Sequence, residues 1–288
     1  MSTARLATAL YSETSGANSS GNSRRNSGGP AEPLVLLHGW GMNLRVFDGL
    51  RAALGVHHRV TAIDLPGHGR SPWTPQGWPQ QQLAGLSAML PRGATLVGWS
   101  LGGQLALQLA SEPALAVRRL VLIASSPRFV CADDWPHGLP AATLRQFAAQ
   151  LERNADKAIA DFLELQVRGS ADAAAVRATL QRSLQRHGAA HPDALTAGLA
   201  QLEHNDLREL ARRIDVPVLV IAGQYDRVCP PRAAQALAQL LPQAQLLQIR
   251  RAGHAPFISH PEQVSAALLA FTRHDERRRQ TAGSRLAP

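Results

Sequence analysis

The chain has 288 residues, 45% of them hydrophobic, which is enough for one sizeable α/β core with an insertion and excludes disorder as the main state. Its formal charge of +9 comes almost wholly from arginine, Lys157 being the only lysine, and no stretch interleaves basic and aromatic residues as a nucleic-acid surface would. Two cysteines, Cys131 and Cys229, exclude a disulfide framework and lack metal-ligand spacing, while no apolar run reaches a signal peptide's core or the ~18 residues of a membrane span. The expectation is a cytoplasmic protein that binds neither nucleic acid nor membrane.

In chain order, "RLATALYSET" is a candidate edge strand, and residues 15–30, "SGANSSGNSRRNSGGP", predict a flexible loop because Ser, Gly and Asn bury no core. An alternation follows: "PLVLLHG" as strand, "LRVFDGLRAAL" as helix, "HRVTAIDLPGHGRS" as strand and loop, "PQQQLAGLSAML" as helix and "ATLVGW" as strand. "SLGGQLALQLASEP" continues it as helix and "VRRLVLIASSP" as strand. Short apolar strands between amphipathic helices imply a mostly parallel sheet covered on both faces. Residues 127–207 break the rhythm with helical periodicity, as in "LPAATLRQFAAQLERNADKAIADFLELQVRG" and "ADAAAVRATLQRSLQRHG", and predict a helical cap inserted into the core. The strand-helix rhythm resumes with "VPVLVIAG", "PPRAAQALAQLLP", "AQLLQIRRAGHAP" and "PEQVSAALLAFTRH". The division is core from 1–126 and 208–275, cap from 127–207, and a charged tail at 276–288 expected to fray.

Gly98-Trp99-Ser100-Leu101-Gly102 fits G-x-S-x-G, in which small neighbours permit a sharp strand-to-helix turn that lifts a serine hydroxyl above the sheet. The apolar strand before it and the helix after it supply the required context. A serine needs a base to take its proton, and the base needs an acid to hold its tautomer. Asp226 follows the "VPVLVIAG" strand and His254 lies in a Gly-containing loop after the next one, the Ser-Asp-His order that accompanies such an elbow. Asp64 precedes Ser100 and is expected to shape its own turn, and His260, before Pro261, to cap a helix. The oxyanion formed on attack needs backbone N–H donors, assigned to Leu101 after the nucleophile and to Trp40 in "LLHGWGMN".

With its "HGW" turn, "DLPGHGRS" loop, nucleophile elbow and late Asp and His, the chain resembles the α/β-hydrolase superfamily from about Pro33 to Arg273. Within it, "GWSLGG", "ASSP" followed by "DDWP", "FLELQ" and "HAPFISHP" resemble the family of pimeloyl-(acyl-carrier protein) methyl ester carboxylesterases. The resemblance implies an α/β-hydrolase fold, hydrolysis of a carrier-bound methyl ester in biotin synthesis, no metal or organic cofactor, and a triad of Ser100, Asp226 and His254. It also implies substrate contacts by Trp40, Leu101 and the cap residues Phe162, Leu163, Glu164, Leu165 and Gln166, and docking of an acidic acyl-carrier protein by basic cap residues. The cap as a whole is not basic, with eight basic residues against ten acidic ones. Docking is therefore expected along Arg168 to Arg186, with Lys157 a further candidate. The triad alone does not define the leaving group. A general carboxylesterase, another enzyme of this fold acting on small acyl or carbon-carbon bonds, and a hydrolase-like binding protein without turnover are the alternative readings.

Overall fold

The computed structural model describes residues 10–16, 32–74 and 79–283. Of the segments expected to be flexible, 17–30 and 284–288 lie outside the described residues. Seven strands form one sheet in the order β1-β3-β2-β4-β5-β6-β7. They are β1 (Ser12–Ser15), β2 (Pro33–Leu37), β3 (Arg59–Ile63), β4 (Thr95–Trp99), β5 (Arg119–Ile123), β6 (Val218–Gly223) and β7 (Ala244–Ile249). All neighbours run parallel except β1, which lies antiparallel on β3 as the edge.

Every residue of β4, β5 and β6 is buried, as expected for strands covered on both faces. Successive residues of β2 serve opposite layers: Val35 and Leu37 pack into one apolar cluster, Leu34 and Leu36 into the other. The covering helices are α1 (Asp48–Gly55), α2 (Gln80–Met89), α3 (Leu101–Ala110), α9 (Pro231–Leu240) and α11 (Pro261–Gly283), with short α10 (Pro256–Ser259) between β7 and α11. The main-chain carbonyl of His260 accepts from Val264 N–H at 3.1 Å, so this residue does open α11.

Between β5 and β6 the chain forms α4 (Ala141–Arg153), α5 (Ala155–Val167), α6 (Ala173–His187), α7 (Pro192–His204) and α8 (Arg208–Arg212). The apolar period of 139–169 runs on unbroken, yet the helix divides at Asn154, whose extended backbone (φ −158°) lets its side chain accept from Lys157 N–H and start α5. The two ends of this helical segment meet: Leu207 N–H donates to Pro127 O at 2.9 Å, and Arg128 pairs with Asp206 at 2.8 Å. Hydrogen bonds from Arg208 hold the Asp206 carboxyl well below the usual carboxylate range. Residues 276–283, part of the tail expected to fray, continue α11 to Gly283. Glu276 to Gln280 are straight-chain residues of good helix propensity, and neither Gly nor Pro interrupts them. No helix among the described residues is long and apolar enough to cross a membrane.

Candidate active site

Ser100 stands between β4 and α3 with φ 56° and ψ −119°, a conformation costing a non-glycine residue of order 1–3 kcal/mol. The packing around it accounts for the neighbouring glycines. A Cβ on Gly98 would lie 2.3 Å from Gly102 O, and one on Gly102 would lie 2.3 Å from Leu37 O. The turn is closed by Ser100 N–H donating to Ile123 O at 3.0 Å and by Ser125 Oγ donating to Ser100 O at 2.8 Å. The first residue of α3 is Leu101, so its N–H has no intrahelical acceptor.

Asp226 and His254, the expected acid and base, lie in the loops after β6 and β7. Asp226 Oδ1 accepts from the N–H groups of Val228 and Cys229, both at 2.8 Å, which fixes the carboxylate. Its Oδ2 lies 2.8 Å from His254 Nδ1. A carboxylate only accepts, so Nδ1 carries the proton and Nε2 presents a lone pair. That Nε2 is buried and has no hydrogen-bond partner among the described residues. The main chain of His254 is held from two sides: Trp99 Nε1 donates to His254 O at 2.8 Å, and His254 N–H donates to Gln166 O at 2.9 Å. Cys229, buried beside Asp226, has its thiol pushed up by burial and stays protonated.

The "HGWG" turn approaches from β2. A Cβ on Gly39 would sit 3.1 Å from Ser100 Cβ, so the main chain beside Trp40 runs directly against the nucleophile turn. Trp40 Nε1 donates to Leu195 O at 2.7 Å. Beneath lie two neutral histidines with ring centroids 5.3 Å apart. Burial lowers His38 well below its usual range and takes His68 down to about 4. His38 Nε2 accepts from Leu65 N–H at 2.9 Å, and His68 Nε2 from Gly41 N–H at 3.4 Å. Asp64 does shape its own turn, accepting from Leu44 and Arg70 N–H at 2.8 and 2.9 Å, and it also meets His187 Nε2 of α6 at 2.7 Å.

An apolar cavity of about 210 Å³ lies among α4, α5 and α7, with Trp40, Phe129, Phe147, Phe162, Leu165 and Val228 in its wall. The Phe162 ring meets Trp40 edge-on at 5.0 Å. Phe162 and Leu165 thus line this cavity, and Gln166 adjoins His254, its buried amide unpartnered at both Oε1 and Nε2 among the described residues. Leu163 and Glu164 require correction. Helical spacing turns Leu163 into the opposite apolar cluster with Val167, and Glu164 to the surface, where it pairs with Arg177 at 3.6 Å.

Sequence reasoning missed Trp99 as the residue that holds His254, although it sits inside the quoted motif, and it missed the main-chain role of Gln166. The His187–Asp64 contact, 123 residues apart, left no local signal.

Three comparisons place this geometry among known proteins. The sequence profile of the alpha/beta hydrolase fold family matches residues 32–261. A Nitrosomonas europaea protein is 41% identical over 82% of this chain and 93% of its own length, and one from Xanthomonas axonopodis pv. citri is 42% identical over 84% and 95%. Both are named pimeloyl-(acyl-carrier protein) methyl ester esterase. Among solved structures, an esterase from Exiguobacterium antarcticum superposes with TM-score 0.79 at 20% identity, covering 92% of this chain and 95% of that one. An enol-lactonase from Burkholderia xenovorans superposes with TM-score 0.73 at 22% identity, covering 92% and 96%. At those identities the structures speak for the fold alone. The chain belongs to the alpha/beta hydrolase fold family and is a relative, within it, of the proteins named pimeloyl-(acyl-carrier protein) methyl ester esterase.

Proposed function

We propose that this chain is a serine carboxylesterase of the cytoplasm that hydrolyses the methyl ester of pimeloyl-(acyl-carrier protein), releasing methanol and the carrier-bound acid for biotin synthesis. The observation that carries this reading is the buried His254, tied through Nδ1 to Asp226 with Nε2 unpartnered among the described residues, and held at its main-chain carbonyl by Trp99, the neighbour of the strained Ser100. The relatives' shared name supports the choice of ester.

In this mechanism His254 Nε2 takes the Ser100 hydroxyl proton as Oγ attacks the ester carbonyl. The N–H groups of Trp40 and Leu101 receive the oxyanion, each such donor contributing about 3 kcal/mol in well-studied cases. His254 returns the proton to the methoxide, methanol leaves, and a water activated by the same nitrogen hydrolyses the acyl-enzyme. The carrier thioester is also susceptible to attack, so position must select the methyl ester. The wall of Trp40, Phe147, Phe162 and Leu165 favours the methylene chain by about 0.8 kcal/mol for each CH₂ buried, and the unpartnered Gln166 amide is available to a polar group of the substrate.

Ser100→Ala is expected to lose about a millionfold in kcat, as a nucleophile knockout does in a comparable hydrolase, and to lose labelling by a fluorophosphonate. Retained turnover of p-nitrophenyl butyrate by that variant would sink the nucleophile assignment. Wild-type enzyme is expected to show higher kcat/KM on the carrier-bound methyl ester than on short free esters. The reverse preference would favour a general carboxylesterase.

A further inference from the structure

The side chains of Asp64 and His187 are fully buried and come from opposite sides of the seam, the loop after β3 and the last turn of α6. Asp64 Oδ2 lies 2.7 Å from His187 Nε2. A carboxylate only accepts, so this nitrogen carries a proton and donates it. His187 Nδ1 is buried and unpartnered among the described residues, which leaves Asp64 to hold the ring, with the Tyr11 ring packed 5.2 Å away. The other two donors to this carboxylate are main-chain groups: Leu44 N–H reaches Oδ1 at 2.8 Å and Arg70 N–H reaches Oδ2 at 2.9 Å. A buried carboxylate that loses a donor must take up a proton or turn towards another donor. Either response here disturbs a main-chain bond.

Those bonds belong to a cradle under the "HGWG" turn. Residues 64–68 hold the turn and the chain after it at three points: Leu65 N–H donates to His38 Nε2 at 2.9 Å, Gly41 N–H to His68 Nε2 at 3.4 Å, and Leu44 N–H to Asp64. Trp40 lies between the first two of these points in the chain. The cap closes on the same cradle beside His187. Asn43 Nδ2 donates to Ser183 O and Gly188 O, both at 3.0 Å, and His191 N–H donates to Gly67 O at 2.7 Å. A Cβ on Gly67 would lie 2.5 Å from that of Ala194 in α7, so the approach is close. Among the described residues none of α6 lines the apolar cavity. The influence of this corner on turnover therefore does not come from contact with an acyl chain held there.

We infer that His187 is a positioning residue for the reaction: by donating to Asp64 it seats the end of α6 on the cradle and fixes the "HGWG" turn, so that Trp40 N–H stands ready for the oxyanion when this corner of the cap is closed. The inference rests on the reading of Trp40 N–H as an oxyanion donor in an ester hydrolase. It gives the parts of the cap different tasks. Helices α4, α5 and α7 wall the apolar cavity, and α6 sets the donor. The oxyanion exists only after attack, so a displaced donor lowers kcat and leaves ground-state binding as it was.

The test compares His187→Phe, which keeps a ring but removes the donor, with His187→Gln, whose amide returns an N–H near the place of Nε2. Turnover is followed on p-nitrophenyl butyrate, a trifluoromethyl ketone reads affinity for the tetrahedral adduct, and amide hydrogen exchange reports on the turn. His187→Phe is expected to lose about tenfold in kcat with KM within about twofold, and to bind the ketone about tenfold more weakly. Its amides over 38–44 should exchange about tenfold faster than in wild type, while those over 95–107 keep their protection. His187→Gln should recover most of each change. If His187→Phe does not fold, His187→Asn, with an amide too short to reach Asp64, takes its place and is expected to show the same losses relative to His187→Gln. A folded donorless variant with unchanged kcat and exchange, or with a raised KM alone, overturns the positioning role. So does His187→Gln impaired as deeply as His187→Phe. Faster exchange over 38–44 in the donorless variant, together with wild-type protein that neither turns over the ester nor binds the ketone, overturns the ester-hydrolase reading and supports the coupling of α6 to the turn.

Discussion

The core and the cap hold the same cavity by different physics. In the core, Ser100, Asp226 and His254 sit on loops at the ends of buried parallel strands, and their positions are set by main-chain hydrogen bonds and by approaches so close that a methyl group on Gly98 or Gly102 would collide with backbone. The cap is made of half-exposed helices, fastened to the core by polar contacts spread along the seam. Asn43 Nδ2 donates to Ser183 O and Gly188 O at 3.0 Å, Gln201 meets Gln82 at 3.0 Å, and Asn205 meets Gln104 at 3.0 Å. A packed sheet tolerates displacements of a fraction of an ångström, which suits reacting atoms. A helical layer held by separable contacts can shift locally, which suits a surface that must admit and release an acyl chain. The two regions meet at the hydrogen bond from His254 N–H to Gln166 O, so the cap also helps to place His254.

The sharpest way to separate these roles is to alter the core without changing its shape. Asp226→Asn keeps the side-chain outline but allows an amide N–H to face His254, favouring the wrong tautomer at Nε2. In a comparable triad this costs about 10⁴-fold in kcat. The same proportional loss is expected on p-nitrophenyl butyrate and on the carrier-bound ester, because the defect lies in proton transfer. A loss confined to the carrier-bound ester would mean that Asp226 serves substrate binding and would break the division of labour.

That division also governs how much could be read from the sequence. The core was legible because its requirements are local: an apolar strand, a glycine-flanked serine and a helix are adjacent along the chain, and the order of Ser100, Asp226 and His254 follows from the order of the strands. Gly102 and Gly103 occupy a first helical turn although glycine is a poor helix former, and the close approaches to Leu37 O and Ser125 Oγ are the cause. The cap was legible as helices but not as contacts. Periodicity does not record the break that Asn154 imposes, nor which face of α5 meets the cavity, since Leu163 and Leu165 are equally apolar letters. Residues that act through the main chain, as Gln166 does on His254, leave no side-chain signature at all.

The seam gives a prediction of intermediate size through pH. His68 lies buried and neutral beneath the "HGWG" turn with its pKa at about 4, while in the unfolded chain it titrates near 6.5. Between those values the unfolded state binds more protons than the folded one, so stability falls as pH drops from about 6.5 towards 4, and the loss is complete below the folded value. Over the full window this amounts to about 3 kcal/mol. Denaturant melts at several pH values should show the decline, and His68→Asn should flatten it even if the variant is less stable at neutral pH. An unchanged slope in His68→Asn would show that the acid sensitivity arises elsewhere.

The smallest expected effect tests the cap at the resolution of neighbouring residues. Leu165 lines the apolar cavity, while Glu164 beside it is exposed and paired with Arg177. Leu165→Ala removes apolar surface from the acyl wall and is expected to raise KM for a long-chain methyl ester about fivefold, on the order of 1 kcal/mol, with kcat on p-nitrophenyl acetate unchanged. Glu164→Ala breaks only an exposed pair, a contact of at most about 1 kcal/mol in stability, and should leave both constants as they are. Equal shifts in KM from the two variants would mean that α5 presents a different face to the substrate from the one it shows here. The chain-length dependence of KM decides between these outcomes, because only a residue in the acyl wall loses more contact as the chain grows.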